Sequence, residues 1–177
     1  MVRNGKETWR PRDHHLDQAQ VIALIRHFQF KDYDQLHRFS IEHPDRYWQG
    51  VSDHIDLRWS KKPTGYVDLT RGKEFPSWFP GGELNWIDTV LKWADVPGVK
   101  ANPCIVKENE DGSVQRLSYA ELPGLVKRFA AGLRRRGIEV GDRVGLLCEN
   151  GVEATISFLA IAYIGAIAVP LFSGFGS

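Results

Sequence analysis

Apolar positions recur at helical spacing from Leu16 through Ala19 and Ala23 to Phe30, which predicts an amphipathic helix over 16–30. A shorter helix is expected from Tyr33 to Phe39, and a third from Pro44, a residue suited to a first helical position. After Trp59 the periodicity stops. Pro63, Gly65, Gly72, Pro76, Pro80, Gly81 and Gly82 break the chain, yet Trp59, Tyr66, Phe75, Trp78, Phe79, Trp86 and Trp93 keep recurring. Disordered segments are poor in aromatics, so this stretch is expected to be an ordered meander anchored on another surface by its large side chains.

From about residue 101 the pattern changes to alternating strand and helix signals. Cys104–Lys107 and Val114–Leu117 flank an Asn109–Gly112 turn and read as a β-hairpin. Ser118 and Glu121 have capping-box spacing ahead of a helix with Leu122, Leu125, Val126, Phe129, Ala130 and Leu133 on one face. Pro123 removes an early donor and predicts a distorted first turn, and Gly137 stands where a left-handed cap belongs. Next come a buried strand at 143–148, a helix at 152–164 ended by Gly165, and a second buried strand at 167–171. Strand, helix and strand with short loops make a parallel βαβ unit.

Two parallel strands are the start of a sheet rather than a whole one, because a parallel sheet needs neighbours and cover on both faces. The expected fold class is therefore α/β: an irregular, helical N-terminal extension (1–100) followed by the incomplete beginning of a doubly wound parallel sheet (101–177). Such a chain is expected to expose ladder edges and an apolar face, and to self-associate in isolation.

Composition narrows the function. Hydrophobic residues make up 42% and charged residues 25%, which are globular values. With 23 basic and 22 acidic side chains, the net charge of +1 argues against a nucleic-acid binder. Arg134–Arg136 reads as a solvated helix end that complements the helix dipole. Residues 154–177 carry no charge, but Gly165 and Pro170 interrupt them, so a helix followed by a strand fits better than a membrane span. No apolar leader precedes the first helix, and Cys104 and Cys148 read as reduced, buried structural thiols, so a cytoplasmic location is expected. Asp13, His14, His15 and Asp17 have metal-ligand chemistry without a recognised spacing, and no metal site is assigned. No His lies in the second region to activate Cys148, and no Gly-rich loop ends in Lys-Ser or Lys-Thr.

Several blocks resemble the AMP-forming acyl-CoA synthetases, in the acetyl-, propionyl- and acetoacetyl-CoA synthetase branch of the adenylate-forming ligases. They are Ser40–Pro44 before Tyr47-Trp48, Trp78–Asn85, Asp111-Gly112 with Leu117–Leu122, Gly141–Val144, Glu149-Asn150 with Glu153-Ala154, and Tyr163–Ala166 with Val169-Pro170 and Phe172–Gly176. They keep the family order over residues 33–177. Val90–Asp95 departs from the family's usual run after Asn85, so the acid substrate stays open.

The resemblance implies a reaction in which a carboxylate attacks ATP, giving an acyl-adenylate and pyrophosphate, after which coenzyme A displaces AMP. ATP, coenzyme A and Mg serve the full-length family, and none of them is expected to bind well to this chain alone. Its phosphate loop, adenylate motifs and catalytic lysine lie downstream of the matched region, so this chain is expected to be an inactive N-terminal piece that needs the remainder of the synthetase. The one contact the resemblance carries over is Phe172, Ser173 and Gly174 against coenzyme A, with Ser173 in place of a glycine. The alternatives are a strand-exit turn for those residues and, for the chain, a stand-alone interaction module paired with a separately encoded remainder.

Overall fold

The computed structural model describes residues 9–171. They form two compact units, one of residues 9–57 with 61–82 and the other of residues 58–60 with 83–171.

The first unit is a small helical body. The single helix expected over 16–30 is two, α1 (Asp13–Gln18) and α2 (Gln20–His27), because Ala19 is extended (φ −71°, ψ 126°). No residue of α1 is buried, so no packing holds it in line with α2. α2 ends in a left-handed Gln29 (φ 58°), with the Phe30 amide donating back to Ile25 O. That reversal turns Phe30 toward Phe28 and Phe39, with ring centroids 5.7 and 5.1 Å away. α3 (Tyr33–Glu42) is capped by Asp32, whose carboxylate accepts from the Gln35 amide. α4 (Pro44–His54) starts on proline as expected.

Residues 61–82 of the meander have their surface within the same unit. The Asp45 carboxylate, in the first turn of α4, accepts from the amides of Tyr66 (2.6 Å) and Val67 (3.1 Å). Val67–Asp68 (β1) pairs antiparallel with Ser77–Trp78 (β2), and Trp78 meets Trp48 of α4 edge-on at 5.7 Å.

The second unit holds the larger core. α5 (Trp86–Leu91) runs into a 3₁₀ turn (Lys92–Asp95). The expected hairpin is present as β3 (Pro103–Glu108) and β4 (Val114–Ser118), antiparallel and in register from Ile105↔Leu117 to Glu108↔Val114. α6 (Leu122–Arg135) begins later than the capping-box spacing suggests. Ser118 donates its amide and hydroxyl to the Glu121 carboxylate (2.9 and 2.6 Å), but the residues between them form a turn, with Pro123 in the first turn of the helix behind it. At the other end Gly137 is left-handed (φ 84°), and the amides of Gly137 and Ile138 donate to Arg134 O and Leu133 O.

The Ser118 bonds hold the Glu121 carboxyl below the usual glutamate range. A depressed folded-state value means the contribution is present above the unfolded value and lost as pH falls through the folded one. The Ser118 amide resonance is therefore expected to titrate below an ordinary glutamate and to lose that titration in Glu121→Gln.

β5 (Arg143–Leu146), α7 (Val152–Tyr163) and β6 (Ile167–Pro170) form the parallel unit, with register Arg143↔Ile167 through Leu146↔Pro170. Gly165 ends α7 at φ 80°, and an added Cβ there would stand 3.3 Å from Val140, so both backbone and space select glycine. α6 lays Leu122, Val126 and Ala130 against α7, whose Ile156, Leu159, Ala160 and Ile161 are buried. Among the described residues no helix is long and apolar enough to cross a membrane.

Candidate functional site at the carboxyl ends of the parallel strands

β5 and β6 run side by side, and the Leu171 amide donates to Leu146 O at 2.8 Å, one step past the last register pair. Beyond these carboxyl ends lies an opening of about 300 Å³. Its lining combines the apolar Leu146, Ala154, Phe158, Pro170 and Leu171 with Cys148, Asn150 and Thr155. In open α/β sheets this is where ligands sit, because the strands deliver loops and the following helix delivers its free amides.

The sequence explains why the opening is there. Asn150-Gly151 turns the chain out of the strand segment, and α7 begins at Val152 with Thr155 donating its hydroxyl to Gly151 O (3.0 Å). A Cβ on Gly151 would stand 3.4 Å from Lys107 Nζ, so that ammonium lies beside the amino end of α7. Both are positive.

Cys148 is exposed, contrary to the expected buried thiol, because β5 ends at Leu146 rather than running to residue 148. Cys104 is half-buried; its thiol donates to Leu117 O, and burial pushes its pKa above the usual cysteine value. The His14 and His15 ring centroids lie 3.9 Å apart with the rings tilted at 36°, and His15 Nδ1 accepts from the Arg12 amide. Among the described residues no group of three or more His, Cys, Asp or Glu is placed to hold a metal. Phe172, Ser173 and Gly174 lie outside the described residues, directly after Leu171.

A larger opening, about 640 Å³, lies beside Tyr163 at the other end of α7. Its lining mixes Arg58, Lys92 and Lys127 with Asp88 and Asp95, so it presents no concentrated charge of one sign.

Two features escaped the sequence reading. Asn85 caps α5 through Oδ1, which accepts from the Ile87 amide, while its Nδ2 donates to both Ala162 O and Tyr163 O, each at 3.1 Å. One side chain thus closes the amino end of one helix and the carboxyl end of another. Trp86, the next residue, meets Phe158 of α7 at 6.0 Å between ring centroids. An Asn directly before an apolar helical run is a cap signal. Nothing in the sequence points to its partners near residue 162. Gly81, by contrast, is a turn glycine at φ 70°, with the Gly82 amide donating to Phe79 O.

Residues 33–95 match the family profile described as acetyl-coenzyme A synthetase N-terminus, and residues 94–177 match that of AMP-binding enzymes. An acetyl-coenzyme A synthetase of Deinococcus radiodurans is 33% identical over 93% of this chain and 26% of its own length. One of Burkholderia mallei is 37% identical over 68% of this chain and 18% of its own. Among solved structures, an acetoacetyl-CoA synthetase from Streptomyces lividans superimposes with a TM-score of 0.82 at 26% identity, covering 95% of this chain and 27% of that one. The chain thus spans about a quarter or less of the length of these relatives. With the two profiles meeting end to end and the parallel unit falling inside the second, the chain belongs to the AMP-forming acyl-CoA synthetase family and corresponds to its N-terminal portion.

Proposed function

We propose that this chain is the N-terminal part of a cytoplasmic AMP-forming acyl-CoA ligase, in which a small carboxylic acid and ATP give an acyl-adenylate that coenzyme A converts to a thioester. Residues 1–100 are its extension and 101–177 the beginning of its AMP-binding domain. The observation that carries the reading is the β5–α7–β6 unit, which ends at the loop-bearing edge where Phe172, Ser173 and Gly174 follow. A glycine after the strand lets backbone approach a ligand closely, and these three residues are proposed to contact coenzyme A. ATP and Mg are proposed to bind through the remainder of the enzyme.

No residue of this chain is assigned a catalytic role, so the isolated chain is expected to form no acyl-CoA from acetate, ATP, Mg and coenzyme A. Detectable hydroxamate trapping or thioester formation by the purified chain would overturn that part of the proposal.

The need for the remainder rests on the outer face of β6. Ala168 packs toward the core, while Ile167, Val169 and Leu171 alternate outward and are 48%, 38% and 50% exposed. The isolated chain is expected to bind a hydrophobic dye and scatter light. Val169→Lys should cut the dye signal several-fold while changing unfolding free energy by no more than about 0.5 kcal/mol, as for other surface substitutions. A dye-silent wild-type monomer would count against a missing cover. The same exposed face supports a second reading, in which a separately encoded remainder supplies that cover, and co-expression with such a chain would then restore activity.

A further inference from the structure

We propose that the Asn150-Gly151 junction is a site of spontaneous covalent modification, at which the chain's own backbone expels ammonia and leaves a carboxylate at the start of α7. The asparagines among the described residues are Asn85, Asn102, Asn109 and Asn150, and the fold treats them differently. Asn85 is bonded through both ends of its carboxamide. Asn102 donates to Gly98 O at 3.4 Å and precedes Pro103, whose nitrogen carries no proton. Asn109 donates Nδ2 to Ser113 Oγ at 2.9 Å and precedes Glu110. Asn150 is exposed, and among the described residues its carboxamide has no hydrogen-bond partner. The amide of Gly151, which follows it, is equally unengaged.

The chemistry needs only those two groups and water. Base removes the Gly151 amide proton and the nitrogen attacks Asn150 Cγ. The N–Cγ bond forms, the Cγ–Nδ2 bond breaks, and Nδ2 takes up a proton and leaves as ammonia. The product is a succinimide ring. Water then adds to either of its carbonyls, giving aspartate or an isoaspartate whose backbone runs through Cβ. Nothing is oxidised or reduced. Such an intramolecular attack is efficient only where the groups are free to meet, and glycine presents its nitrogen with no β-carbon beside it. Asp111-Gly112 shows the restrained counterpart. Its carboxylate accepts from the Ser113 amide (2.9 Å) and hydroxyl (2.6 Å), and the Gly112 amide donates to Asn109 O (2.9 Å). The new charge at residue 150 arises at the amino end of α7, beside Lys107, where a negative charge is favoured. Both reacting groups belong to this chain, so no partner surface enters the reaction.

The test incubates the dilute, folded chain in warm, mildly alkaline buffer and follows each asparagine by peptide-resolved mass and isoaspartate content. Asn4-Gly5, the same dipeptide outside the described residues, is read on its own peptide. Asn150 is expected to convert at least about tenfold faster than Asn85, Asn102 or Asn109, whose carboxamides are tied or whose following nitrogen is blocked. The rate should rise with pH, since the attacking nitrogen must first lose its proton. Gly151→Ala should slow conversion at least about tenfold, because a β-carbon crowds that nitrogen. At φ 177° the backbone there is extended and accepts alanine, so the fold should persist. Asn150→Gln, which would have to close a larger ring, should leave that peptide unconverted. An Asn150 that stays intact in the folded chain over the time that converts it in urea overturns the proposal. So does conversion no faster than at Asn109, or a Gly151→Ala rate equal to wild type.

Discussion

Asn85→Ala is expected to destabilise the second unit by about 2–4 kcal/mol, the combined loss of a helix cap and two hydrogen bonds to helix-end carbonyls. Both bonds are partly buried, so water replaces them poorly. Asn85→Asp separates the two roles. Its carboxylate can still accept from the Ile87 amide, but it loses the donors and sets a negative charge against the carboxyl end of α7. That charge is disfavoured on folding, so the introduced group's folded-state pKa is raised. The variant should be most stable below the unfolded carboxylate value, about pH 3.9, and lose stability as pH rises through the folded one. Urea unfolding with hydrogen exchange at the α7 amides reads both effects. If Asn85→Ala unfolds within about 0.5 kcal/mol of wild type, the bridge carries no weight.

Gly50→Ala is expected to destabilise the first unit by about 2 kcal/mol, although helix propensity alone predicts a gain of about 1 kcal/mol for that change. Gly50 lies in the interior of α4 and is buried. A methyl group there would clash with the far edge of the Phe28 ring, at Cζ and Cε1. The ring cannot swing away cheaply, because it is held among Phe30, Phe39 and Tyr47 at centroid distances of 5.7, 5.2 and 6.0 Å. Overpacking therefore exceeds propensity. Amide exchange should accelerate across α2, α3 and α4 while α6 and α7 keep their protection. A rise in stability would mean that Phe28 repacks freely and that the aromatic cluster is loose.

Much of the fold was legible because local signals and burial agreed. The hairpin, α6 with its Gly137 cap, and the β5–α7–β6 unit all follow from turn residues set between apolar runs of the right length. α7 is apolar on nearly every side, and its burial among α5, α6 and the strands makes that pattern stable. Ala19 shows the limit of periodicity: the apolar spacing continues through it, yet the helix breaks because α1 gains no burial by staying in line. Pro123 and Ser118 show competition between neighbours, in which the side-chain bond survives but the helix starts after it. Cys148 was misplaced because apolar composition continued two residues past the last ladder bond.

The amino-acid sequence by itself determined the family resemblance, the order of the elements and the strand–helix–strand character of residues 143–171, since each depends on residues near one another along the chain. The tertiary structure alone decided that Asn85 joins two helix ends 77 residues apart, that Trp86 meets Phe158, and that Gly50 makes room for Phe28. Those contacts depend on where distant side chains meet in space, and no local pattern encodes a meeting point.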